Sequence, residues 1–153
     1  MADELIKKLE GEGKIARQTA GMVQVEALIK EAIIDLDEAK KTLHLADRAT
    51  YILAYNAMLK AGRALLLLKG YRPTDGAQHK TVVEMTGAFL GNNYISLINH
   101  FETMRRKRNE MTYGAGALLS PSEAEQAFSD ATTLVKKILT EAKSRNPQLE
   151  LEF

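Results

Sequence analysis

The stretch FETMRRKRNEMTYGAG, Phe101 to Gly116, contains the residues of this chain whose types and spacing could do chemistry. Four consecutive cations precede Asn109 and Tyr113, namely Arg105, Arg106, Lys107 and Arg108. A guanidinium binds phosphate through paired hydrogen bonds, and an aromatic ring can stack on a base. Cations also collect near helix C-termini because they complement the helix dipole, so the cluster alone is equally open to a structural explanation.

Arg108 stands out because of its place on the helix that this stretch predicts. Apolar residues recur there at the spacings of one helix face: Tyr94, Leu97, Phe101, Met104 and Met111. Arg108 fills the gap in that stripe, and since a guanidinium is costly to bury unpaired, it should meet a buried partner or line a polar cleft. Arg105 lies one turn earlier on the same side, while Arg106, Asn109 and Tyr113 share a neighbouring face.

Other kinds of site are not indicated by the sequence. It has no phosphate-binding glycine loop, no HExxH and no acidic calcium loop, and we predict neither a metal nor a cofactor. The absence of cysteine excludes disulfides and thiolate catalysis. His44, His79 and His100 lie in separate segments, and a lone helical histidine is more often a packed or solvent-facing residue than a ligand.

The elements that must position these residues are helices. Periodicity and capping signals predict six, at about 3–9, 18–45, 46–70, 78–90, 93–113 and 120–143. Asp47 is expected to cap the third, Gly70 to end it, and Ser120 with Glu123 to form a capping box on the sixth. No segment alternates convincingly as a strand. The fold class is therefore all-α, a single-domain bundle of about five to six helices over residues 1–153, with a tail at 144–153 that frays or lies across a neighbour.

The third helix is apolar on nearly every side and rich in small residues, which is typical of a central helix. Because the fifth helix also carries an arginine on its apolar stripe, one chain is not expected to cover both. We therefore predict a homodimer whose interface includes the fifth helix.

Net charge and hydropathy limit the partners and the location that we expect for the protein. The formal net charge is +1, so any nucleic-acid site must be a local patch. The longest apolar run, Ala64 to Leu68, is far shorter than the roughly 20 residues that span a bilayer, and we expect a cytoplasmic protein without a membrane partner. Arg72 precedes a proline and should be held extended, with its side chain directed away from the helix pair. It is a further candidate contact to RNA, and the alternative is an ordinary solvated turn.

The segments AYNAMLKAGRALLLLKGYRP and FETMRRKRNEMTYG resemble the HEPN domain, a helical domain of prokaryotic and some eukaryotic defence proteins. The resemblance covers roughly 29–140. It implies that Arg108 and Asn109 match an Arg-polar motif that a histidine normally completes a few residues later, and that active members cleave RNA as dimers without a metal. Toxin–antitoxin and other defence pairs are the implied setting.

Tyr113 stands at the histidine position of that motif. A phenol has a reference pKa of about 10 and is a poor base near neutral pH, although it can donate a hydrogen bond to phosphate. Departure of the chain from the helix at Gly114 and Gly116 would let the phenol approach Arg108. The favoured hypothesis is binding of RNA or a nucleotide through an Arg-Asn-x-x-x-Tyr site with weak or no nuclease activity. The alternatives are an active ribonuclease toxin that uses Tyr113 or a residue from another segment, and a module that docks a nucleotidyltransferase, for which Tyr113 is a conceivable acceptor.

Overall fold

The computed structural model describes residues 2–19, 21–74, 78–114, 116 and 118–152. These residues include six α-helices and one short two-stranded sheet. The elements in chain order are α1 (Ala2–Gly11), β1 (Ile15–Arg17), α2 (Met22–Thr42), α3 (Asp47–Leu68), β2 (Tyr71–Pro73), α4 (Gln78–Leu90), a 3₁₀ turn (Asn92–Tyr94), α5 (Ile95–Tyr113) and α6 (Pro121–Arg145). The all-α class is confirmed. None of the helices in these ranges combines the length and apolarity needed to cross a membrane.

The helix α3 is the centre of the bundle. Thirteen of its 22 residues are buried, because α2, α4, α5 and α6 of the same chain all pack against it. Its small residues permit this close packing, and Ala54, Ala57, Ala61 and Ala64 are completely buried. The chain therefore covers its third helix by itself, and of the two helices used to predict a dimer, α3 gives no support to it.

Gly62 sets the distance between α3 and α4. A Cβ atom at this position would lie 2.7 Å from Cγ1 of Val82 and 2.8 Å from Oγ1 of Thr86. Both distances are shorter than real Cβ contacts, so only glycine allows α4 to lie this close to α3. The close approach packs the middle of α4 directly against α3.

The sheet contradicts the expectation of a chain without strands. β1 and β2 pair antiparallel, with Ile15 opposite Pro73, Ala16 opposite Arg72 and Arg17 opposite Tyr71. Each strand has three residues, too few for alternation to be visible, and the residue before a proline favours extended backbone. The expected extension of Arg72 is confirmed, and its side chain is exposed.

The starts of α2 and α3 differ from the sequence expectations. α2 begins at Met22 rather than near Gln18, since Gly21 is extended at the N-cap position. Asp47 is the first residue of α3 rather than its cap, where it still complements the helix dipole; Ala46 holds the cap position.

The remaining signals at helix ends are confirmed. Ser120 and Glu123 form the predicted capping box on α6, and Gly70 ends α3 with a φ of +90°. In the C-terminal segment, Leu149 is 6% exposed and packs against the core, so at this residue the segment lies across its own chain.

Candidate functional site

The basic segment of α5 is largely neutralised by neighbouring carboxylates. The Arg105 guanidinium donates two hydrogen bonds to the Glu102 carboxylate, from Nε at 2.6 Å and from Nη2 at 3.0 Å. Arg106 donates a third bond to Glu102 at 3.2 Å, and Lys107 forms an ion pair with Glu123 of α6. The hydrogen bond from Arg105 is the main reason that the pKa of the Glu102 carboxyl is lowered. Three of the four cations are thus engaged within the chain.

Arg108 is the exception in this segment. Its side chain is half-buried, and within the described residues its guanidinium makes neither a salt bridge nor a hydrogen bond. Its position follows from the apolar stripe: Phe101 and Met104 are buried, and Arg108 comes one turn later, where the stripe reaches the edge of the core. A guanidinium in this place has the charge and the free donors to bind an anion.

A tyrosine and a histidine from two other helices lie within the electrostatic range of Arg108. Tyr55 of α3 is completely buried and packs edge-on against Phe101, with ring centroids 5.9 Å apart. Its hydroxyl is hydrogen-bonded to Nδ1 of His79, the second residue of α4, at 2.9 Å. Burial is the main cause that raises the pKa of Tyr55 to about 12, so the phenol keeps its proton near neutral pH.

His79 lies within the electrostatic influence of three arginines. Burial is the largest cause that lowers the pKa of its imidazole below 6.5, and the charges of Arg108, Arg63 and Arg105 lower it further. The ring is therefore neutral near pH 7. We refer to Arg63, His79, Arg105 and Arg108 as the arginine–histidine cluster.

Arg63 is the member of this cluster that lies on α3. Its Nη2 donates to the side-chain oxygen of Gln78 at 3.2 Å, and its Nε is buried without a hydrogen-bond partner among the described residues. Arg63, Gln78 and Arg72 also line a cleft of about 300 Å³ beside β2. The cluster thus continues into a cleft with two arginines on its walls.

The other residues proposed from the sequence lie around this cluster. Asn109 is half-buried next to Arg108, and Arg106 is exposed. Tyr113 is the last residue of α5 and is 83% exposed. Because α5 stays helical through Tyr113, this side chain and Arg108 point about 140° apart. The chain leaves the helix at Gly114, one residue too late to bring the phenol towards the guanidinium.

Sequence reasoning did not find Tyr55, Arg63 or His79 as members of the site. Tyr55 and His79 are 24 positions apart, and they meet only because α4 packs on α3. The residues three and four positions after His79 are Val82 and Val83, so helical spacing offers no second polar group on the same face that would indicate a site. Within the described residues, no three histidine, aspartate or glutamate side chains are grouped as metal ligands would be.

Comparison with known proteins gives one clear result. The model of the HEPN domain family matches residues 25–142, which is more than half of the chain. The match includes α3, α4 and α5 entirely, and with them the arginine–histidine cluster. No curated protein matches the chain.

Proposed function

The chain belongs to the HEPN domain family, and on this premise we propose that it binds RNA or a nucleotide through phosphate, with Arg108 as the principal contact. Family membership indicates a function that involves RNA or nucleotides. The observation that carries the proposal is the state of Arg108, a half-buried residue whose guanidinium lacks a carboxylate partner among the described residues, while its three basic neighbours each have one.

A phosphate is the ligand that fits this guanidinium best. Removal of a charge from water is costly unless a partner compensates it, and a bidentate arginine–phosphate interaction provides both charge and hydrogen bonds. Arg63 adds a second cation to the cluster. Arg105 is a third, and its ion pair with Glu102 holds its side chain in position. The positive potential is therefore local, which agrees with a net charge of +1 for the whole chain.

Asn109 and Tyr113 belong to the rim of the proposed site. Asn109 adjoins Arg108 and can donate its side-chain amide to a phosphate or a base edge. The exposed ring of Tyr113 offers a stacking surface for a base that lies beyond the phosphate. Because its phenol is far from the guanidinium in helical projection, Tyr113 fits a binding role better than a role in proton transfer.

We further propose that two copies associate through α5. This helix buries only Phe101 and Met104 of its 19 residues, and Ile95 at its start is 61% exposed. An open helix face of this kind favours a partner that covers it. A twofold arrangement would bring two Arg108 side chains to one groove and double the charge that a nucleic-acid strand meets.

Equilibrium binding of a short fluorescent single-stranded RNA tests the role of Arg108. Arg108→Ala should weaken the affinity about tenfold or more, and it should reduce the salt slope by about 0.7 for each phosphate that the variant no longer neutralises. Arg48→Ala is the matched control, because it removes the same charge from an exposed position about 22 Å along α3 from Arg63. Equal affinities for wild type and Arg108→Ala would refute the proposal.

A further inference from the structure

The imidazole of His79 occupies a place that binding alone does not explain. It lies at the start of α4 within the influence of three arginines, so a positive charge on the imidazole itself is disfavoured. The centroid of its ring is 5.8 Å from the centroid of the Tyr55 ring. The neutral ring adds no positive charge that would attract phosphate. A neutral imidazole beside a phosphate-binding arginine is suited to proton transfer instead.

The hydrogen bond with Tyr55 engages one of the two ring nitrogens of His79 and leaves the other without a described partner. Nδ1 is engaged by the Tyr55 hydroxyl at 2.9 Å, and Nε2 has no hydrogen-bond partner among the described residues. A phenol both donates and accepts, so it accommodates either neutral tautomer of the histidine. In the tautomer that acts as a base, Nδ1–H donates to the Tyr55 oxygen and the lone pair of Nε2 is free. Because Tyr55 is completely buried, the ring has a fixed partner throughout.

We propose that His79 is the catalytic base of RNA cleavage at this site, an inference that rests on the proposed function. Its Nε2 acts on the ribose 2′-hydroxyl next to the phosphate held by Arg108. Nε2 accepts the 2′-hydroxyl proton, and the 2′-oxygen forms a bond to the adjacent phosphorus. The bond from phosphorus to the 5′-oxygen breaks, and that oxygen takes a proton from water. The products are a 2′,3′-cyclic phosphate and a 5′-hydroxyl, and His79 returns its proton to the resulting hydroxide. No oxidant or reductant is required.

The arginines of the cluster complete this chemistry. Negative charge accumulates on the phosphate oxygens when the 2′-oxygen attacks, and fixed cations at those oxygens stabilise that state. Arg108 and Arg63 are available for this role because within the described ranges neither has an ion-pair partner. Burial and, to a smaller extent, the charges of the same cations lower the pKa of the imidazole and so favour its unprotonated form before the reaction.

Tyr113 is a weaker candidate for the same step. Its side chain is 83% exposed at the end of α5, where neither a buried neighbour nor a described hydrogen bond orients it. A phenol is also a poor general base near neutral pH compared with a neutral imidazole. His79 comes from another segment of the chain, and no spacing within α5 could indicate it.

The experiment uses the full chain with two matched oligonucleotides, a short single-stranded RNA and its 2′-O-methyl analogue, which lacks the proton to be removed. Binding is measured with the analogue, and cleavage is measured with the RNA, with mass spectrometry of the product ends. The variants are His79→Gln, which keeps a polar side chain that cannot act as the base, and Tyr55→Phe, which removes the hydroxyl. His44→Asn is the control, because His44 is an exposed histidine paired with Glu125 on a different part of the surface.

The expected result is cleavage by the wild type to cyclic phosphate ends, with an unchanged rate for His44→Asn. His79→Gln should bind the analogue normally and cleave about 10²-fold or more slowly, and Tyr55→Phe should lose part of the rate because the ring is less well oriented. In the wild type, the rate should rise with pH along a limb centred below 6.5, since burial and the charges of Arg63, Arg105 and Arg108 lower the pKa of His79.

Four results would overturn the inference. If the wild type binds the analogue but leaves the RNA intact, or if His79→Gln cleaves at the wild-type rate, His79 is not the catalytic base. The proposed binding function stands in both cases. A wild-type pH limb centred well above 6.5 has the same consequence and does not depend on how any variant folds. Failure of the wild type to bind either oligonucleotide refutes the proposed function, and the inference with it.

Discussion

Replacement of Gly62 by alanine tests the packing that brings His79 to Tyr55. The added Cβ would lie 2.7 Å from Val82 Cγ1 and 2.8 Å from Thr86 Oγ1, whereas optimal contacts between heavy atoms are at roughly 3.5–4.0 Å. Val82 and Thr86 are completely buried, so neither has free space into which to move. The helix α4 must therefore shift away from α3.

Two opposing effects set the magnitude. Alanine is favoured over glycine inside a helix by about 1 kcal/mol, while overpacking of a buried site costs about 1–3 kcal/mol. With two atoms this close, we expect a net loss of about 1–2 kcal/mol in the free energy of unfolding, or about 2–8 °C in Tm for a domain of this size. A shift of α4 should also expose His79 and raise its pKa towards 6.5, because burial is the main cause of its lowering.

Urea unfolding measures the first effect, and NMR titration of the His79 ring measures the second. Gly11→Ala is the control, since Gly11 ends α1 and a Cβ there meets no atom within 4 Å. That variant should be as stable as the wild type or slightly more stable. If Gly62→Ala gained stability in the same way, the close approach of α4 to α3 would be refuted, and with it the reason given for the position of His79.

Three further outcomes are expected. His79→Gln should lose less stability than the wild type when urea unfolding is repeated from pH 7 to pH 5, because the lowered pKa of His79 makes the unfolded chain bind the proton more readily below about 6.5; equal losses would contradict this. Ser120→Ala should cost about 1 kcal/mol in thermal unfolding through loss of the α6 cap, and an unchanged Tm would argue against the capping box. Sedimentation should show a homodimer at micromolar concentration, and a monomer would contradict the proposed association through α5.

The helices were predictable where the sequence contains local signals. Ser120, Pro121 and Glu123 start α6 as expected, because a capping box is formed by residues that are close in the chain. The sheet was not predictable, because its two strands, residues 15–17 and 71–73, are far apart in sequence. Three residues are also too few to show the alternation of apolar and polar side chains that marks a strand. Asp47 shows the limit of capping signals, which often place a helix end correctly only to within a residue or two.

The site was predictable only in part, for a related reason. Arg108 could be singled out because a charged residue interrupts an apolar stripe, which is a pattern along a single helix. His79 and Tyr55 could not, because their hydrogen bond depends on the packing of α4 against α3 at Gly62. Spacing arguments find residues on one element, whereas this cluster takes its members from three.

The most direct test of the central claim follows the guanidinium of Arg108 itself. The Nε–H resonance of each arginine can be followed by nitrogen-15 NMR while a short single-stranded RNA is added, with the Arg108 signal assigned from its absence in Arg108→Lys. We predict that the Arg108 signal shifts and saturates at the affinity found by fluorescence, while the signal of Arg48 stays unchanged. Tight RNA binding with an unmoved Arg108 signal would contradict the account.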